Sequence, residues 1–194
     1  TVFAADQVRP TAAKTVAALR SLGVRQLAVL SGDNESTVEA IARRTGVDER
    51  HGRLLPEDKV RVIAELEARH GSVAMIGDGV NDAPALARAS IGIAMGGIGS
   101  DAAMESADVV LMADDLGSLP YAVKLAQDAN RVVIQNLVIA TGVMLALVTW
   151  VFAGRYLPLG PLKLPVAVSG HEGSTVVVIL NGLRLLAIRR LPAA

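Results

Sequence analysis

Two carboxylates, Asp78 and Asp82, stand four residues apart across a glycine turn in Gly77-Asp78-Gly79-Val80-Asn81-Asp82-Ala83-Pro84. Oxygen ligands spaced this way suit Mg2+, which takes one or two carboxylates and completes its shell with phosphate and water. Asp and Asn also cap helices, but a cap alone leaves Asp78 without a task. A second group has different chemistry. His171-Glu172-Gly173-Ser174-Thr175 lies inside an apolar stretch. Imidazole with carboxylate suits a borderline divalent cation such as Zn2+ or Co2+. It is not the helical zinc-protease pattern, because Thr175 stands where the second His belongs. Charged groups at such depth cost roughly 2.5–3.5 kcal/mol on insertion scales and usually mark an ion path. A structural polar pair between helices is the plainer alternative. Ser169 and Thr175 read equally as ligands and as helix-packing hydroxyls.

The elements that must position the first group alternate along residues 1–130. Apolar runs of strand length end in turn residues: Leu27–Leu30 before Ser31-Gly32-Asp33, Val73–Ile76 before Gly77-Asp78-Gly79, Ile91–Met95 before Gly96-Gly97, and Val109–Met112 before Ala113-Asp114. Between them, Thr11–Leu22, Glu35–Thr45 and Glu57–Arg69 carry apolar residues at helical spacing, and Pro56-Glu57-Asp58 is a good helix start. Strand and helix in alternation predict a parallel sheet covered by helices. Ligands then sit beyond the carboxyl ends of the strands, where the polar tips fall.

The character changes near Arg131. Val132–Ala153 carries no charge and is long enough, at about 22 residues, to span a bilayer core. Gly154–Lys163, with Pro158, Gly160 and Pro161, reads as a connection. Leu164–Leu186 is a second stretch of spanning length, interrupted by the polar run from Ser169 to Thr175. Two buried core helices are the alternative, disfavoured by length and the near absence of charge. Gln135 and Asn136 read as packing or interfacial groups. Lys124, Arg131, Arg184, Arg189 and Arg190 flank the outer ends of this hairpin, against Arg155 and Lys163 in the connection. The positive-inside bias therefore predicts both ends, and the α/β domain, in the cytoplasm. His51 and His70 read as solvent-exposed, on a loop and a helix end.

These residues, in this order, resemble the P-type ATPases. The run from Gly77 to Leu86 is the family's hinge motif. Asp6-Gln7-Val8-Arg9-Pro10 is similar to the segment entering its phosphorylation domain. Ser31-Gly32-Asp33 resembles its Thr-Gly-Asp motif, with a hydroxyl retained, and Pro56-Glu57-Asp58-Lys59 resembles the segment bearing its lysine. Gly99-Ser100-Asp101 and Glu105–Leu111 resemble the stretch after the hinge. The resemblance implies a haloacid-dehalogenase-like fold and phosphoryl transfer through an aspartyl-phosphate. Lys59 would offer charge to the transferring group, and Ser31 and the Gly32 amide would donate hydrogen bonds to it within the motif that Asp33 completes. Asp78 and Asp82, in the loop with Gly79 and Asn81, would hold Mg2+. Cofactors implied are Mg2+ and ATP, with a divalent metal as cargo.

His171–Thr175 resembles the His-Glu-Gly-Gly-Thr signature of the cobalt-type heavy-metal subgroup, with Ser174 for the second Gly. Asn181-Gly182-Leu183-Arg184-Leu185 is similar to the end of the last span in heavy-metal pumps. This implies transported-ion ligands at His171, Glu172, Ser169 and Thr175, and export of Co2+ or Zn2+ across the cell membrane. Missing are the family's Asp-Lys-Thr-Gly and its nucleotide-binding domain; no Walker loop replaces them. The reading is a piece of a longer pump: 1–130 an incomplete phosphorylation domain that has lost a central strand, 131–194 the last two membrane helices. Alone it is expected to be inactive and marginally stable.

Two rivals stay open: a membrane-anchored phosphatase of the haloacid dehalogenase type, and a non-catalytic membrane module that binds metal. Charge balance, with 19 basic and 19 acidic residues, speaks against a nucleic-acid partner. The absence of cysteine excludes disulfides and thiolate metal ligation from this chain.

Overall fold

The computed structural model describes residues 11–77, 80–95, 101–111, 115–154, 156 and 160–187. The described residues separate into two compact units, dividing between Tyr121 and Ala122.

In the first unit, α1 (Ala12–Ser21) leads into β1 (Ala28–Leu30), α2 (Glu35–Thr45) and β2 (Glu49–His51). There follow α3 (Pro56–His70), β3 (Ala74–Gly77), a 3-10 turn (Val80–Asp82), α4 (Ala83–Arg88), β4 (Ile91–Met95), α5 (Asp101–Ser106) and β5 (Val109–Leu111). All pairings among the described residues are parallel, as the alternation predicts. β1 pairs with β2 in the register Ala28↔Glu49, and β4 lies between β3 and β5, with Ala74↔Ile91 and Ile93↔Val109. No ladder joins the two sheets among the described residues. The core gathers Ile63, Met75, Ala85 and Leu86, with Leu30 and Val60 packed against it, so α3 ties β1 to β3 through side chains.

Local chemistry sets the helix ends. The Asn34 Oδ1 accepts the Thr37 N–H at 2.9 Å, and Gly46 takes the left-handed conformation at φ 77° that closes α2. Pro56 opens α3, and Asp58 reaches back to the Leu55 N–H at 3.1 Å. Helix α1 turns Thr15 and Leu19 inward, and Thr15 is a buried polar residue that the apolar spacing does not reveal.

Strand β2 corrects the placement of His51 on a loop. Its sequence, Glu-Arg-His, has no apolar member, so periodicity passes over it. It is held instead by its ladder to β1 and by Glu49, which takes both Arg69 nitrogens at 3.0 Å and Gln26 at 3.2 Å. The Arg69 hydrogen bonds hold the Glu49 carboxyl below the usual carboxylate range. His51 is not simply solvated either: its Nε2 is buried and faces Glu49 Oε2 at 3.5 Å, too loosely to count as a hydrogen bond. His70 is exposed, as expected.

The second unit holds most of α6 (Ser118–Ala153), then α7 (Leu164–Leu183) and a 3-10 turn (Arg184–Ala187). Among the described residues, α6 is the helix both long and apolar enough to cross a bilayer, with a mean hydropathy of 2.1 over its most apolar stretch. The second apolar stretch is helical, but its polar run keeps α7 short of that standard. The helices touch at Gly170, where a Cβ would lie 3.3 Å from Leu147. They are also joined by Asn181, whose Nδ2 donates to Asn136 Oδ1 at 2.9 Å and to Gln135 Oε1 at 3.2 Å. Gln135 and Asn136 are thus packing groups, and side-chain amides of this kind join helices where water is scarce.

Candidate phosphoryl-transfer site

The site begins at the carboxyl end of β1. The Ser31 N–H donates to the His51 carbonyl at 3.0 Å, and the Ser31 carbonyl accepts the Leu54 N–H at 3.1 Å. The Asp33 carbonyl accepts the Arg53 N–H at 2.7 Å. This seats the Ser31-Gly32-Asp33 loop on the segment that enters α3. Arg53 takes a φ of 53° to make the contact, a conformation that costs a non-glycine residue about 1–2 kcal/mol. Sequence reading passed over Arg53 because nothing in the residue type announces the conformation.

Within the loop, Ser31 Oγ donates to Asp33 Oδ2 at 2.8 Å and accepts the Asp33 N–H at 3.2 Å. The hydroxyl expected to serve phosphate is therefore committed to its neighbour here and must turn to reach a ligand. Gly32 is exposed, and its N–H has no protein acceptor among the described residues.

Lys59 lies one turn into α3, and its Nζ meets Asp82 Oδ1 at 2.6 Å, with the side chains 13% and 14% exposed. The two were expected to act on phosphate and on Mg2+; the structure brings them into one largely buried ion pair. Asp82 lies at the end of the 3-10 turn after β3, with Asn81 exposed beside it. Asp78 and Gly79, the other half of the expected Mg2+ loop, lie outside the described residues. Asp82 offers carboxylate oxygens, the donor type that a hard cation such as Mg2+ takes.

The reason Asp82 can fold down over β3 is Gly77. A Cβ there would stand 2.7 Å from Asp82 Cβ and 2.8 Å from its Oδ2. Sequence reading treated Gly77 as a turn residue; its actual role is to leave room for a carboxylate. Gly77→Ala should cost about 1–3 kcal/mol by overpacking. At Gly32 the nearest atom to a Cβ is 3.4 Å away, so Gly32→Ala should change stability by less than about 0.5 kcal/mol. Thermal unfolding of the two variants in detergent checks the contrast.

The metal-ligand candidates do not form a second site of comparable definition. His171, Glu172, Ser169 and Thr175 are all exposed on α7, and no group of three His, Asp or Glu side chains able to hold a metal occurs among the described residues. Ser174 Oγ donates to the His171 carbonyl at 2.6 Å and Thr175 Oγ1 at 3.4 Å, so both hydroxyls are turned back on their own helix.

Residues 1–90 match the family model of the haloacid dehalogenase-like hydrolases. The zinc-transporting ATPase of Bacillus subtilis (strain 168) is 46% identical over 93% of this chain and 27% of its own length. A cadmium-transporting ATPase of Staphylococcus aureus is 40% identical over 97% of this chain and 25% of its own. The crystal structure of a zinc-transporting PIB-type ATPase in its E2.Pi state superposes with a TM-score of 0.79, at 41% identity, over 93% of this chain and 28% of that one. The chain belongs to the heavy-metal P-type ATPases. It spans about a quarter of the length of the curated relatives it matches. In this P-type ATPase segment, the haloacid-dehalogenase-like parallel sheet accounts for the Lys59–Asp82 pair at the strand ends.

Proposed function

We propose that this segment serves an ATP-driven pump that exports a divalent heavy-metal cation through an aspartyl-phosphate. The observation that carries the reading is the Lys59–Asp82 pair, held at 2.6 Å at the carboxyl end of β3. A cation anchored by a carboxylate is fixed where negative charge accumulates on a transferring phosphoryl group. Fixed charge and position supply most of the rate in such transfers. The Gly32 N–H and, once turned, the Ser31 hydroxyl add donors on the β1 side. Mg2+, held by Asp78 and Asp82, would neutralise phosphate oxygens. The nucleophilic Asp and the nucleotide-binding domain come from the rest of the pump, so residues 1–130 are the later part of a phosphorylation domain.

Residues 131–194 are the last two membrane helices, with both ends cytoplasmic and the pump in the cell membrane. Support comes from the apolar length of α6, from the amides joining α6 to α7, and from the relatives named for zinc and cadmium transport. The cargo is a divalent ion of the Zn2+, Cd2+ and Co2+ kind, reached by His171 and Glu172 with further ligands from other spans. Imidazole and carboxylate do not separate these ions by affinity alone.

The test is ATP hydrolysis by the complete pump in detergent with Zn2+, Cd2+ or Co2+ added, with Asp78→Asn beside it. Stimulation by at least one of these ions, lost in the variant, is the expected result. Hydrolysis of simple phosphate esters without any response to heavy metal would favour the membrane-anchored phosphatase instead.

A further inference from the structure

Where α6 enters its charge-free stretch, a cavity of about 370 Å3 opens between the two helices of the second unit. Asp128, Arg131, Val132 and Gln135 line it from α6, and Arg184 and Leu185 from the turn after α7. Its charge is unbalanced. The Asp128 carboxylate already binds Lys124 Nζ at 2.9 Å, and Arg131 reaches it only at 3.4 Å. Arg184 spends one nitrogen on the neutral Asn181 Oδ1 at 2.9 Å. Lys124 and Arg131 therefore share one carboxylate, Arg184 has no carboxylate partner among the described residues, and Arg131 is 74% exposed.

The lining is also amphipathic along the helix axis. Arg131 is the last charge before Val132–Ala153, and Arg184 directly follows α7. Val132 and Leu185 stand beside the two guanidiniums. A ligand that fits both has an anionic head and an apolar body.

We propose that this cavity binds the phosphate of an anionic phospholipid, with Arg131 and Arg184 as its donors and Val132 and Leu185 against the start of an acyl chain. Guanidinium forks match phosphate oxygens in pairs, and basic pockets between membrane helices on the cytoplasmic side hold such headgroups. The proposal rests on the membrane reading of α6 and α7. Free phosphate shares the charge but has no use for the apolar lining.

The test reconstitutes the complete pump into vesicles of phosphatidylcholine with one tenth phosphatidylglycerol, solubilises it, and measures retained lipid by mass spectrometry. The expected result is at least tenfold enrichment of phosphatidylglycerol, lost in R131Q/R184Q, weakened by high salt in the native chain, and unaffected by millimolar inorganic phosphate. R131Q and R184Q alone should each lower the enrichment, which keeps the assignment testable where the double variant does not insert. Retention in proportion to vesicle composition overturns the proposal and leaves the membrane reading intact. Displacement by inorganic phosphate makes it a free-anion site and overturns the lipid assignment. Failure of the complete pump to enter vesicles removes both.

Discussion

Lys59→Met in the complete pump is expected to lower ATP turnover by about a hundredfold to a thousandfold, the usual effect of removing one preorganised charge donor from a reacting group. The same change should also destabilise the protein. It leaves Asp82, with its side chain 14% exposed, without the 2.6 Å partner that offsets its desolvation. Breaking a buried pair from one side costs about 3–5 kcal/mol, whereas replacing both partners is far cheaper. The double variant Lys59→Met/Asp82→Asn separates the two effects. Stability by thermal unfolding should return most of the way, because no buried charge is left unpaired. Turnover should stay at least as low as in the single variant, because nothing replaces the ammonium at the phosphoryl group and Asp82 no longer offers a carboxylate to Mg2+. If turnover recovers together with stability, the pair is a structural brace and the chemical role of Lys59 is wrong.

Much of the fold was legible in the sequence because a parallel sheet buries its strands on both sides and writes them as continuous apolar runs. β4 fell on Ile91–Met95 as predicted, and α2 on Glu35–Thr45. β2 was invisible for the converse reason. It is an edge strand of three polar residues, fixed by the Arg69 grip on Glu49 rather than by apolar burial. The site was legible by residue type and only partly by geometry. Lys59 and Asp82 were both singled out, but assigned to different partners, since 23 positions of sequence carry no sign that their side chains meet. The space at Gly77 and the left-handed Arg53 are backbone facts, and residue type alone does not announce them. In α7 the polar residues stood out against an apolar background, while their helical phase, which decides what they can reach together, had to await the helix itself.

That phase yields the second large effect, a ranking within α7. At 3.6 residues per turn, successive side chains are about 100° apart. Thr175 therefore lies about 40° from His171, Glu172 about 100° from it, and Ser169 about 160° away. Two long side chains 100° apart can close on one ion, while a serine on the far side of the arc cannot join His171 there. The hydroxyls of Ser174 and Thr175 are already bonded to the His171 carbonyl. His171→Ala and Glu172→Gln are thus each expected to lower the metal affinity of the complete pump by a hundredfold or more, exceeding the 10–100-fold typical of losing an outer-shell partner. Ser169→Ala should stay within about twofold. Competition of Zn2+ or Cd2+ against a chromophoric chelator gives the affinities without relying on turnover. Metal-stimulated ATP hydrolysis should follow the same order. Equal losses at Ser169 and His171 would mean that α7 unwinds around the ion. Unchanged affinity in His171→Ala would make the His-Glu pair a packing feature and move the ion path to other helices.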